Sequence, residues 1–176
     1  MRESKLRPLF AQLADECRAD HHKAIGEMVA ISDSPDPSNF IRWTVRSVHP
    51  HLEIPIEQHE RLGGSGSAPC PGTLIAMALA ACMDGTIRMI ADSRGVELDS
   101  IHVEVVNRGD MRAIIGVADE VPEPADAGIS MNIEVVPSPG QDRGKVARVL
   151  ELSEASSAVL LMLRGGVPIT TNASII

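Results

Sequence analysis

Tyrosine is absent from this chain, and its 176 residues include only two phenylalanines and one tryptophan. The core must therefore be assembled from Val, Ile, Leu, Met and Ala, which let helices approach closely. Cysteine is nearly as scarce. Cys17, Cys70 and Cys82 are odd in number, lack metal-ligand spacing and read as free thiols in a chain that folds without a disulfide. Positive charge is also in deficit: 16 Lys and Arg against 24 Asp and Glu give a net charge of −8 and a pI near 5.2. The basic residues are scattered rather than gathered into a stripe, so no nucleic-acid partner is expected. No apolar run reaches the ~18 residues of a membrane span, and Met1-Arg2-Glu3-Ser4-Lys5-Leu6-Arg7 lacks a secretory apolar core. No membrane association is expected, and the location is read as cytoplasmic. Without low-complexity tracts, a single domain over 1–176 is the expectation.

The residues present divide that domain into three stretches. In 1–60, helical spacing from Leu6 to Arg18 predicts a surface helix, and looser alternation from Lys23 to Ser32 predicts a strand that stops at Ser34-Pro35-Asp36-Pro37-Ser38. Phe40–Val48 puts Arg42, Thr44 and Arg46 on one side and Ile41, Trp43 and Val45 on the other. With Leu52–Ile56 it completes an N-terminal β-meander. Residues 61–72 are a Gly/Pro-rich lead-in whose glycines permit positive φ and whose prolines withhold donors. From 73 the run Thr73–Met83 is apolar around its whole circumference, continues to Arg94 and meets Gly95 as a C-terminal cap. Some 22 residues at ~1.5 Å each span on the order of 33 Å, more than a lone small domain usually hides, so a second subunit is expected to cover part of this helix. Alternation then predicts three strands, Val96–Val106, Met111–Val117 and Ile129–Val135, with an acidic loop over 118–128 before the last. A second helix over Asp142–Leu163 and a short edge strand at Val167–Thr170 complete the chain.

This order of elements, together with Leu74-Ile75-Ala76-Met77-Ala78-Leu79-Ala80-Ala81-Cys82, resembles the OsmC/Ohr family, the osmotically inducible and organic hydroperoxide resistance proteins. In that family a Gly-rich segment leads through a Pro-containing turn into an alanine-rich helix ending Ala-Ala-Cys. Arg94–Val105 looks like the family's helix-to-strand junction, and Leu163–Ile169 like its C-terminal ending. The likeness covers roughly Gly63 to Thr170, and the first 60 residues only loosely. It implies an α+β fold built as an intertwined homodimer, with antiparallel sheets around two central helices.

The resemblance also implies thiol chemistry. Active members reduce hydroperoxides: a peroxidatic thiolate attacks the peroxide, a second cysteine on the later helix resolves the sulfenic acid, and an Arg and a Glu hold the thiolate ready. Such chemistry needs a depressed thiol pKa, because the thiolate is the nucleophile. Cys82 matches the peroxidatic position. The family's Glu follows the Pro ten residues earlier, where this chain has Gly72 after Pro71, and Ser157 is the counterpart of the resolving cysteine. The family Arg comes from the N-terminal strands, leaving Arg42, Arg46 and Arg61 as candidates. Two functions are therefore expected. One is a thiol peroxidase that uses Cys82 alone, with a small hydroperoxide as substrate and an external thiol as reductant. The other is a degenerate scaffold that binds a small apolar or acyl ligand at the dimer interface, with Gly72 and Ser157 marking the loss of catalysis.

The remaining candidates read more plainly. Without the resemblance, Cys82 is a small buried hydrophobe. If helix joins Cys70 to Cys82, twelve residues of rise part them by ~18 Å, against the ~7 Å between Cα atoms that a disulfide tolerates. Cys70 is then a surface-loop thiol, and a bridge between subunits stays open. His49-Pro50-His51, His59 and His21-His22 lack the clustered ligand set of a zinc site and are read as solvated, so no metal is expected. Gly63–Ser67 lacks the Lys of a phosphate loop and reads as a hinge or contact loop, and no cofactor is expected. Met77, Met83, Met89, Met131 and Met162 suit core filling.

Overall fold

A computed structural model describes Ser4 and residues 6–32, 37–112, 114–117 and 127–174. The acidic loop expected at 118–128 and the turn at 34–38 lie largely outside them. The elements run α1 (Arg7–Ala19), β1 (Ala30–Ser32), β2 (Arg42–Ser47), β3 (Leu52–Glu57), α2 (Pro71–Arg94), β4 (Leu98–Arg108), β5 (Gly128–Pro137), α3 (Arg143–Ser156) and α4 (Ala158–Gly165). They form a mixed α and β architecture. Two compact units share the chain: one holds Met1–Arg7, Ala78–Glu104 and Asn132–Ile176, the other Pro8–Met77 and Val105–Met131.

In the second unit, β1, β2 and β3 make a three-stranded antiparallel sheet in chain order. The register sets Trp43 opposite Ile56 and Val45 opposite Ile54, so one face is apolar. On the other face Arg42 stands opposite Glu57 and Arg46 opposite Glu53. Such cross-strand pairs are the stabilising unit of a sheet. Pro55 is tolerated because β3 is an edge strand. The strand expected over Lys23–Ser32 is shorter, with a 3-10 turn at His21–Ala24 and only Ala30–Ser32 paired. Asp20 caps that turn through its side chain and draws the residues that follow it out of the extended state.

The lead-in to α2 is folded around Glu57. This carboxylate is only 3% exposed, accepts the Ser65 and Ser67 hydroxyls and both of their N–H groups, and pairs with Arg42 Nη1 at 3.1 Å. Gly64 is required there, because a Cβ would sit 1.8 Å from the Gln58 carbonyl oxygen. The Ser67 and Ser65 hydroxyls, helped by their N–H groups, overcome the cost of burial and hold the Glu57 carboxyl down at about 2.

Helix α2 begins at Pro71, where a missing donor costs nothing. It ends in a left-handed Gly95 (φ 66°), with Gly95 N–H bonding the Asp92 carbonyl and Val96 N–H the Ala91 carbonyl, the pattern of a Schellman cap. Its buried residues Leu79, Met83, Thr86, Ile87 and Ala91 make one stripe. By length and composition alone α2 would suffice to cross a membrane, with a window of mean hydropathy 1.6, although Asp84 and Arg88 interrupt its apolar run. Only 28% of that window is buried in the single chain. Ile75, Met77 and Met89 are left exposed.

Three further expectations are corrected. Met111–Val117 forms no strand among its described residues: it makes turns, with Ile115 N–H bonding the Met111 carbonyl and Val117 N–H that of Arg112. β4 pairs directly with β5. Asp110 accepts the Arg112 N–H and guanidinium, which favours a turn over an extended run. Val167–Thr170 is likewise not a strand, and Ile169 is 84% exposed with no ladder beside it. The long second helix is two helices. Asp142 caps α3 through Lys145 N–H, but the Ser153 and Ser156 hydroxyls bond back to the Val149 and Leu152 carbonyls, a contact that weakens and bends helices. Ser157 then leaves helical geometry at φ −65°, ψ 110°.

Removing the ionisable Glu57 carboxyl is the direct way to test the lead-in clasp. Its folded pKa lies below the usual 4.5, so the stabilisation is complete above that value and is lost as pH falls toward about 2. Urea midpoints measured from pH 5 to pH 2 are expected to fall less steeply in Glu57→Gln than in the wild type; parallel slopes would remove the clasp.

Candidate functional site

Cys82 sits on α2 one residue before the buried Met83, at the flank of the stripe, and is half-buried. Ser157 is fully buried between α3 and α4, and its hydroxyl donates to Cys82 Sγ at 3.4 Å. Two residues 75 apart in sequence thus meet within one compact unit. Burial pushes the Cys82 thiol up, but hydrogen bonds from the Ser157 hydroxyl, the Val159 N–H, the Thr86 hydroxyl and the Ala158 N–H outweigh it and hold the thiol below its ordinary value. The Thr86 part is the weakest of these in kind. Thr86 has one proton and gives it to the Cys82 carbonyl at 2.7 Å, so it does not serve the sulfur at the same time.

The arginine candidates are placed otherwise. Arg42, Arg46 and Arg61 all belong to the unit that holds the three-stranded sheet, whereas Cys82 and Ser157 belong to the other. Arg42 is paired with Glu57, Arg46 stands across from Glu53, and Arg61 is exposed in a 3-10 turn, its N–H held by His59 Nδ1. Gly72 has space beside it: a Cβ would lie 3.4 Å from Asn107 Nδ2, whose amide already holds the Gly72 carbonyl at 2.9 Å.

Cys17, Cys70 and Cys82 are all free thiols. Cys70 is not a plain loop thiol, because it immediately precedes Pro71 and its carbonyl accepts the first bond of α2, from Leu74 N–H. Its sulfur lies 3.4 Å from Thr73 Oγ1. Burial pushes that thiol up, and the Thr73 hydroxyl with the Thr73 and Gly72 N–H groups brings it below the ordinary value. It opens on a cleft of about 460 Å³ lined by Gln58, His59, Glu60 and Ser67. Among the described residues, one group could hold a metal, the exposed Asp20, His21 and His22, whose ligand atoms lie within 4.8 Å. Three adjacent surface side chains fall short of the four clustered ligands of a structural zinc site, and Asp20 already caps His22 N–H.

The sequence reading missed the start of α4. Serine directly before the apolar run Ala158–Leu163 is a helix N-terminus signature, which the apparent continuity of the heptad-like pattern across Ser156-Ser157 concealed.

The family model described as OsmC-like protein matches residues 64–172. No curated protein matches the chain. Among solved structures, an OsmC-like protein from Mycoplasma pneumoniae is 12% identical with a TM-score of 0.59, covering 80% of this chain and 89% of that one. An organic hydroperoxide resistance protein from Elizabethkingia anophelis, with thiocyanate bound, is 17% identical with a TM-score of 0.58, covering 81% and 91%. An organic hydroperoxide resistance protein OsmC from Legionella pneumophila is 15% identical with a TM-score of 0.56, covering 80% and 91%. At such identities these structures share the fold. The family match runs from the glycine-rich lead-in through both later helices, takes in Cys82 and Ser157 and spans more than half of the chain, which therefore belongs to the OsmC-like family.

Proposed function

We propose that this protein is a thiol-dependent hydroperoxide reductase with Cys82 as its single peroxidatic cysteine. The observation that carries the reading is the sulfur itself. It is half-buried, accepts a hydrogen bond from the Ser157 hydroxyl, and its pKa is held below the ordinary thiol value. A thiolate is the nucleophile that peroxide reduction needs. The solved structures named as hydroperoxide resistance proteins share this fold.

The cycle balances without a second cysteine. The Cys82 thiolate attacks the distal oxygen of a hydroperoxide, the O–O bond breaks, and the departing alkoxide takes a proton to become an alcohol, leaving Cys82 as a sulfenic acid. One external thiol displaces water from that sulfur to give a mixed disulfide. A second thiol releases Cys82 and leaves as the external disulfide. Ser157 forms no S–S bond, so resolution falls to the external reductant. A reducing cytoplasm would supply that thiol. None of Arg42, Arg46 and Arg61 is assigned a part in this cycle.

The working form is proposed to be a homodimer. Ile75, Met77 and Met89 on α2, Leu161, Met162 and Leu163 on α4, and Val167 and Ile169 beyond it are exposed in the single chain, an apolar display that a monomer in water rarely keeps.

Two outcomes are expected. With an organic hydroperoxide and a dithiol reductant, Cys82→Ser should abolish turnover, and a sulfenic-acid trap should label Cys82 of the wild type. Full turnover in Cys82→Ser would end the proposal. Sedimentation should give twice the 18.8 kDa chain mass, shifting toward one chain in Met77→Glu; a wild-type monomer at micromolar concentration would overturn the dimer.

A further inference from the structure

Ser157 occupies the position of a helix-capping residue without capping its helix. It directly precedes α4 with φ −65° and ψ 110°, and its carbonyl accepts the first bond of α4, from Leu161 N–H at 2.9 Å. A serine there normally turns its hydroxyl oxygen to the N–H groups of the first turn. Here no such bond exists. The hydroxyl instead donates across to Cys82 Sγ at 3.4 Å, and the backbone N–H groups of Ala158 and Val159 help to lower the pKa of that same thiol. The first N–H groups of any helix lack partners within it, and the sulfur of Cys82, held by the Ser157 hydroxyl, lies at this end of α4.

We propose that Ser157 and the first turn of α4 are the positioning group of Cys82, which serves as the capping acceptor of that helix. The assignment rests on the reading of Cys82 as the reactive thiol and extends it to the groups that keep the sulfur ionised and aimed. A thiolate accepts these bonds more strongly than a thiol does, and its charge suits the positive end of the helix dipole. The effect therefore grows on ionisation, as activation of a nucleophile requires. On the elements around the sulfur, charged side chains engage one another: Arg88 with Asp84 on α2, Arg148 with Glu151 on α3, and Arg164 of α4 with Glu154 of α3. The group that hydrogen-bonds the sulfur is the neutral Ser157 hydroxyl, and the α4 amides that favour its ionisation are neutral as well. They stand in this chain where the family resemblance led one to expect an acid and a base.

The position also suits a clean test. Ser157 already has the extended ψ that a following proline demands, and the first helical position tolerates proline, so Ala158→Pro deletes one N–H from the sulfur while keeping α4. Ser157→Ala deletes the hydroxyl, and Ser157→Thr restores it. With Cys17 and Cys70 both replaced by serine, thiolate absorbance against pH reads Cys82 alone. Ser157→Ala and Ala158→Pro are each expected to raise the titration midpoint, lowering the thiolate fraction at neutral pH roughly three- to tenfold, with Ser157→Thr close to the parent. A capping or packing role alone would lower thermal stability and leave the titration where it was, and that result overturns the proposal. Since the titration needs no peroxide, shifted midpoints in a protein that consumes no hydroperoxide would uphold the positioning role and refute the reductase reading.

Discussion

The constraint that weighs most on this fold is α2, a helix with apolar side chains around its circumference of which a single chain buries only the stripe from Leu79 to Ala91. Burial of apolar area is the main favourable term in folding, and with so few aromatic residues the core has no large rings to reach across gaps. The short side chains of Ala78, Ala80 and Ala81 permit close approach and offer little area of their own. The cover must come from surfaces laid directly against the helix, which is the physical ground for the proposed second copy.

The same helix fixes the chemistry. Cys82 lies at the edge of the buried stripe, neither sealed in packing nor free in solvent, and burial alone would favour its protonated form. What reverses the balance is the break at Ser157. Had α3 continued unbroken, the amides of Ala158 and Val159 would have been spent on carbonyls of the preceding turn, and the sulfur would have had the Ser157 hydroxyl at most. Ser153 and Ser156, bonding back onto α3, weaken the helix one turn before the site.

Much of this was legible in the sequence. The alternation of Arg42, Thr44 and Arg46 against Trp43 and Val45 gave the two faces of β2, and Pro71 and Gly95 bracketed α2 because each suits one end of a helix for a stated reason. The failures have equally local causes. Met111–Val117 had the apolar content of a strand, but Asp110 offers Arg112 a side-chain acceptor that the periodicity ignores. Val167–Thr170 had a strand's composition and no strand to pair with. The apolar spacing of Val146, Val149, Val159 and Leu160 suggested one helix, since periodicity reports which faces are buried and is blind to a single residue leaving helical φ and ψ. Cys82 and Ser157 were both singled out by family likeness, whereas the backbone amides of Ala158 and Val159, which help to lower the Cys82 pKa, have no side-chain signature and emerge only from the fold.

A thiolate held by neutral donors behaves differently from one held by an ion pair. An arginine partner acts over several ångströms, weakens as salt screens it and brings a long side chain that must be ordered. Hydroxyl and amide donors act only at contact and are little affected by ionic strength, and those of α4 are fixed by the helix before the sulfur ionises. Their contribution depends on geometry, which makes the Cys82 site sensitive to the integrity of α4 rather than to surface charge. The exposed apolar residues Leu161, Met162 and Leu163 lie on that same short helix, so the groups proposed to position the sulfur and the surface proposed to meet a second copy share one element.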